Sequence, residues 1–223
     1  MQIYMGELPR VLAVTRFASH VRERRSHSYR AMTGYRARLV AIAIAVLSAP
    51  VNSQEELTPQ RIADIRARAE QGEALAQNEL GSLYYTGSGV LQDDAEATRW
   101  IRLAAEQGHA PAQHNLGLLY FRSRGVPGDD TEAAMWYRRA AEQGYAPAQG
   151  GLGYMLAYGA GVDENHMLAY MWLELAWTGA TSDFTRRLYT QQRDELARRM
   201  TPEQIADAHR LAHEWEAAHA REP

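Results

Sequence analysis

The chain repeats itself every 36 residues. The tetrapeptide AEQG occurs at 69–72, 105–108 and 141–144. Leu80-Gly81, Leu116-Gly117 and Leu152-Gly153 keep the same step, as do Val90, Val126 and Val162, and Trp100, Trp136 and Trp172. Four markers run in phase without an insertion. A fixed period of this length demands a linear array of one supersecondary unit, because a single unit cannot bury its own apolar face and must stack on its neighbours.

Each unit reads as two helices. Over 73–86, Ala76, Leu80 and Tyr84 recur at steps of four and make one apolar face, and Ala112, Leu116 and Tyr120 repeat it. The turns GSGV at 87–90 and GAGV at 159–162 place glycine where a helix stops with positive φ. Asp93 with Glu96, and Asp129 with Glu132, predict capping boxes that open the second helix, with Asn165 as the third cap. That helix buries Ala97, Trp100 and Ala104 and their equivalents. Gly81, Gly117 and Gly153 stand inside helices, where glycine costs about 1 kcal/mol relative to alanine. Three such positions in one register predict close backbone approach there.

Composition narrows the chemistry. The 223 residues hold no cysteine, and all 24 basic residues are arginine. Disulfides, thiol nucleophiles and cysteine zinc sites are therefore excluded, and so are a phosphate-loop lysine, a Schiff-base lysine and a Ser-x-x-Lys nucleophile.

The charge is split. Residues 1–53 carry eight arginines against Glu7 and Glu23, or +6, leaving 16 arginines against 25 acidic residues, or −9. An acidic body argues against nucleic acid as a partner, which needs a basic face. Within the basic leader, LVAIAIAVL at 39–47 follows Arg36 and Arg38. It is shorter than the roughly 18–20 residues that span a bilayer and fits the apolar core of an export signal. Val51 and Ser53 supply the small residues of a cleavage site, so the mature chain is expected to start at Gln54. The expected organisation is an upstream extension or misplaced start at 1–31, a signal peptide at 32–53, a half-repeat helix at 54–71, three repeats at 72–180 and capping helices at 181–223. After cleavage no stable membrane insertion is expected, and a lipoprotein anchor is impossible without cysteine.

The stretch Ala69–Gly108, AxxGxxxAQxxLGxLYxxGxGVxxDxxxAxxWxxxAAxQG, resembles the Sel-one-like repeat, a relative of the tetratricopeptide repeat, and the resemblance extends to about residue 180. Pro59–Glu70 aligns as a half-unit, with Asp64 where Trp100 falls. RDELARRMTPEQIADAHRLAHEW, Arg193–Trp215, is similar to the closing segment of small bacterial members. Ser123 departs from the pattern by replacing a turn glycine, Leu156 and Ala157 by replacing a tyrosine-rich helix end, and Ala180 by replacing a turn glycine. The resemblance implies an all-α fold, a right-handed α-solenoid of helix-turn-helix repeats closed by a C-terminal capping helix pair. Thr201, Pro202 and Gln204 independently predict a capped terminal helix, with Ile205, Ala208, Leu211, Ala212 and Trp215 as its apolar stripe.

Nothing in the sequence assembles a catalytic or metal centre. His209 and His213 lie four apart, but Arg210 stands where a zinc protease needs glutamate, so both are expected on the solvated face of the last helix. His109 and His114 have no supporting carboxylate. The acidic pairs Asp93-Asp94 and Asp129-Asp130 are explained as caps and helix-dipole partners. No catalytic residue, metal or cofactor is expected.

Positions that differ between units mark where packing leaves freedom. Asn78, Ser82 and Tyr85 become His114, Leu118 and Phe121, then Gly150, Tyr154 and Ala157. Spaced four then three, each trio shares one helix face, which in tetratricopeptide-like folds is concave. Asn78, Ser82, Tyr85, His114, Leu118, Phe121 and Tyr154 are thus the candidate contacts for a protein partner, although the three aromatics could instead seal contacts between units. Resemblance and signal together imply a non-catalytic adaptor, scaffold or regulator in the bacterial periplasm or secreted. The alternatives are a hydrolase of the β-lactamase-like type described for cysteine-rich relatives, whose paired cysteines are absent here, and a structural envelope protein.

Overall fold

A computed structural model describes residues 57–219. The expected extension, signal peptide and cleavage site lie outside the described residues. The described residues form nine helices and no strand: α1 (Pro59–Glu70), α2 (Ala74–Thr86), α3 (Asp94–Glu106), α4 (Ala110–Arg122), α5 (Asp130–Glu142), α6 (Ala146–Tyr158), α7 (His166–Thr178), α8 (Asp183–Ala197) and α9 (Pro202–His219). Helices α2 with α3, α4 with α5, and α6 with α7 pack as the three units, and α3 against α4 and α5 against α6 link them. This is an all-α solenoid of helical repeats.

The in-helix glycines sit where the two helices of each unit come closest. A Cβ on Gly81 would lie 3.0 Å from the Ala97 carbonyl oxygen, on Gly117 3.1 Å from that of Ala133, and on Gly153 3.1 Å from that of Ala169. The contacted carbonyls are themselves 36 residues apart, so the glycine spacing encodes one helix crossing made three times. Around it, Ile65, Ala69, Ala76, Leu80, Leu83 and Trp100 form an apolar cluster shared by α1, α2 and α3. Burying a side chain of leucine size stabilises by about 2 kcal/mol.

Helix ends follow the sequence with one change. The Asp93 carboxylate accepts from the Ala95 and Glu96 N–H groups at 2.9 and 3.0 Å, and Asp129 accepts likewise from Thr131 and Glu132. The return half of the expected capping box is absent: Asp93 N–H donates to the Tyr84 carbonyl at 3.0 Å. The Glu96 carboxylate instead accepts from Trp100 Nε1 at 3.1 Å, and Glu132 from Trp136 Nε1 at 3.2 Å. A buried indole N–H needs an acceptor, and Glu96 and Glu132, one turn before the tryptophans, supply it. Gly87, Ser123 and Gly159 end the first helices in the left-handed conformation, at φ of 73°, 56° and 62°. The second turn glycine serves the stacking: a Cβ on Gly125 would lie 2.0 Å from the Asp94 carbonyl oxygen of the preceding unit.

The 36-residue step continues to the end, but the packing does not. Caps at Asp93, Asp129, Asn165 and Thr201 are evenly spaced, and Thr201 and Gln204 form the expected reciprocal box at 3.2 and 2.9 Å. Yet Tyr189 stands one period after Gly153, and Ala208 one period after Trp172. With large and small exchanged, the crossing of the earlier units cannot be repeated. Helices α8 and α9 each pack on α7 instead. There Met171 and Leu175 are buried, whereas their equivalents Met135 and Arg139 one unit earlier are exposed.

Candidate functional site

A ladder of buried glutamines recurs with the repeat. Gln77, Gln113 and Gln149 donate Nε2 to the carbonyls of Ala69, Ala105 and Ala141 at 3.2, 3.2 and 3.4 Å, tying each first helix to the helix before it. Gln107 donates to Gln77 Oε1 and Gln143 to Gln113 Oε1, both at 2.7 Å. The amide satisfies polar backbone inside an apolar seam, where an unmade hydrogen bond would cost about 1–3 kcal/mol. These glutamines were visible in the sequence as the AQ and EQG letters of the repeat, but only position in space gives them a role.

The candidate partner contacts divide into two groups. Asn78 and Ser82, in the first unit, are half-buried and keep part of their surface open. Tyr85, His114, Leu118, Phe121 and Tyr154 are buried, Leu118 and Tyr154 to 2% exposure. The expected stripe is therefore mostly covered: α4 and α6 approach one another and close over Phe121 and Tyr154, Arg124 lies over the Tyr85 ring of α2, and Tyr137 and Tyr145 enclose His114. Phe121 meets the Tyr154 ring edge-on at 5.8 Å, and Tyr154 lies 4.8 Å from Tyr158. Gly151 admits the Tyr137 ring at 3.1 Å from where a Cβ would stand.

The junction between the first two units carries more polar links. Asn115 donates to Asn78 Oδ1 at 2.9 Å across the junction, and within α2 Ser82 Oγ donates to the Asn78 carbonyl. Arg122 donates to the Tyr85 hydroxyl at 2.8 Å. Arg124 pairs with Asp94 at 2.5 Å and lies over the Tyr85 ring at 4.3 Å. His114 sits deep in the seam between the rings of Tyr137 and Tyr145, at 5.5 and 5.6 Å. Burial pulls its pKa down to about 4, with the Arg122 guanidinium acting in the same direction. Burial also raises the tyrosines Tyr137, Tyr145 and Tyr189.

At the far end, His213 is exposed as expected, but His209 is not simply solvated. Its ring meets Tyr170 edge-on at 5.3 Å, and Nδ1 lies 3.9 Å from Glu174, which also pairs with Arg193 of α8. Glu174 holds the place one period after Arg138, so an acid appears where the terminal helices must dock. Among the described residues no group of three acidic or histidine side chains could hold a metal ion, and no helix is long and apolar enough to cross a membrane.

Comparison with known proteins agrees with this architecture. The Sel1 repeat model matches residues 74–109, 110–145 and 146–176, which are the three units. No curated protein matches the chain. Among solved structures, the chain is 37% identical to a Sel1 repeat protein from Oxalobacter formigenes, covering 59% of this chain and 98% of that one, with a TM-score of 0.52. It is 30% identical to a protective antigen of uropathogenic Escherichia coli that displays an SLR fold, with a TM-score of 0.66. That match covers 86% of this chain and 41% of the antigen. Sel1 repeat proteins generally mediate protein–protein interactions. With three matched units, a shared register and a relative covered almost end to end, the chain belongs to the Sel1 repeat family.

Proposed function

We propose that this protein is a non-catalytic adaptor, scaffold or regulator of the bacterial periplasm, and that a partner polypeptide engages the first-helix side of its first unit. The observation that carries this reading is the contrast along one register. Asn78 and Ser82 stay half-open, while their equivalents His114 and Leu118, then Gly150 and Tyr154, are buried. The buried residues hold the units rigidly in register. The first unit offers amide and hydroxyl groups on a pre-ordered helix, which limits the ordering cost of binding. The split between a basic leader and an acidic body supports export.

The test is affinity capture by residues 54–223 from the native cell envelope, compared with the double variant Asn78→Arg and Ser82→Arg. Partner recovery should fall at least tenfold with the helical circular dichroism unchanged. Equal recovery by the variant would move the site elsewhere. Two further measurements bear on the rest of the reading. N-terminal sequencing of the envelope form should begin at Gln54, and a mature form retaining residues 1–53 would remove the export proposal. Turnover of any β-lactam in a substrate panel would overturn the non-catalytic assignment.

A further inference from the structure

We propose that the middle unit is an acid-sensitive joint in the array, with His114 of α4 as its sensor. The ring is enclosed by Tyr137 of α5 and by Tyr145, the residue that opens α6. Its Nδ1 lies 3.3 Å from Asn115 Oδ1, and the Asn115 amide in turn donates to Asn78 Oδ1 of α2 at 2.9 Å. One imidazole therefore touches groups from α5 and α6 directly and reaches α2 through one amide.

The surroundings suit only the neutral ring. Among the described residues, the charges acting in this neighbourhood are Arg122 of the same helix, which disfavours a proton on His114, and Asp130 of α5, which acts on Tyr137. Asn115 is the polar group that favours the charged form, and desolvation outweighs it. His109, the residue that opens α4, is also held below its ordinary pKa by burial, and its Nδ1 is buried with no hydrogen-bond partner among the described residues. A positive charge there would oppose the positive end of the helix dipole. Protonation is thus disfavoured in the closed array relative to an opened one, so acid favours opening at α4. A repeat array permits such local parting, since each unit is held only by its neighbours.

The sign follows from linkage. The folded-state pKa of His114 lies near 4, below the ordinary 6.5. Stability at this site is therefore complete above pH 6.5 and lost as pH falls toward 4. Between pH 7.5 and 4.5 the opening equilibrium should rise roughly 70-fold for this one group.

Amide hydrogen exchange on residues 54–223, corrected for the intrinsic effect of pH, measures that opening helix by helix. The protection of α4 should fall by at least about that factor relative to α7, and the fall should shrink several-fold in His114→Phe, which fills the site, and in His114→Gln, which keeps a polar group beside Asn115, leaving only what His109 contributes. An equal fall in either variant, or an equal loss in every helix, overturns the proposal. Should both variants fold poorly, a proton NMR titration of the native His114 ring decides: a ring that titrates near 6.5 while α4 keeps its protection overturns it, and one that stays neutral until α4 loses protection supports it.

Discussion

Tyr189 of α8 lies on the face of Gly150 in α6, so that a Cβ at Gly150 would come within 2.4 Å of the tyrosine ring. In the earlier units the same register position carries Asn78 and His114. The third unit gives up a side chain there, and α8 fills the gap with an aromatic ring held at 3% exposure. The end of the array is thus specified by a pair of exchanged sizes, glycine for a side chain on α6 and tyrosine for glycine on α8.

Gly150→Ala tests that fit. Alanine gains about 1 kcal/mol in helix propensity, but the ring must move out of a contact no real Cβ tolerates, with an overpacking penalty of about 1–3 kcal/mol. Net destabilisation of about 1 kcal/mol is expected in urea unfolding. Gly108→Ala serves as the control for adding a methyl group with space to accept it, because nothing lies within 4 Å of its Cβ position, although its φ of 88° adds strain of its own.

Ser123 is the one non-glycine residue at positive φ among those described, at 56°. Its equivalents Gly87 and Gly159 carry no steric penalty in the same conformation. Ser123→Gly should raise stability by about 0.5–1 kcal/mol, since the left-handed region disfavours a Cβ by about 1–2 kcal/mol and the added freedom of the unfolded chain returns part of it. A higher melting temperature in a calorimetric scan would bear this out, and a lower one would mean that the serine side chain makes a compensating contact.

Gln113→Leu removes two rungs of the glutamine ladder at once. Ala105 O retains its bond from Gly108 N–H, and Gln143 Nε2 retains the Arg139 carbonyl. Neither former partner is left bare, so the loss should be about 1–2 kcal/mol rather than the larger figure for an orphaned buried group. Denaturant unfolding measures it, and Gln77→Leu, at the end of the ladder, should behave alike.

Trp215 ties the last helix to the array. It meets Trp172 at 5.9 Å and stacks on His219 at 4.0 Å. Trp215→Ala should destabilise by about 2 kcal/mol, below the range for a fully buried tryptophan because this one is only half-buried. The effect should concentrate in α9: its amides should lose hydrogen-exchange protection while those of α3 and α4 keep theirs. Uniform loss along the chain would mean that the terminal helix holds the whole array rather than its end.

The repeat alone was enough to place the units, their turns and their caps. Ala76, Leu80 and Trp100 recur at the spacing helices require, and Gly81, Gly117 and Gly153 announce a close crossing by their position inside helices. Local chemistry acts over a few residues, so it is written locally. Which side of each helix remained open was not written that way. Phe121 and Tyr154 look in sequence like variable surface positions, and the approach of α4 to α6 closes them against one another. The same holds for His114, whose missing carboxylate partner is legible in the sequence while its enclosure by Tyr137 and Tyr145 is not. Tyr189 and Ala208 keep the period yet break the packing, because a register counts residues and a helix crossing measures volume. Short-range propensity and spacing set the unit, its length and the order of its helices. The tertiary structure decided which faces close and which stay open, because that depends on side chains 36 residues or more apart meeting in one space.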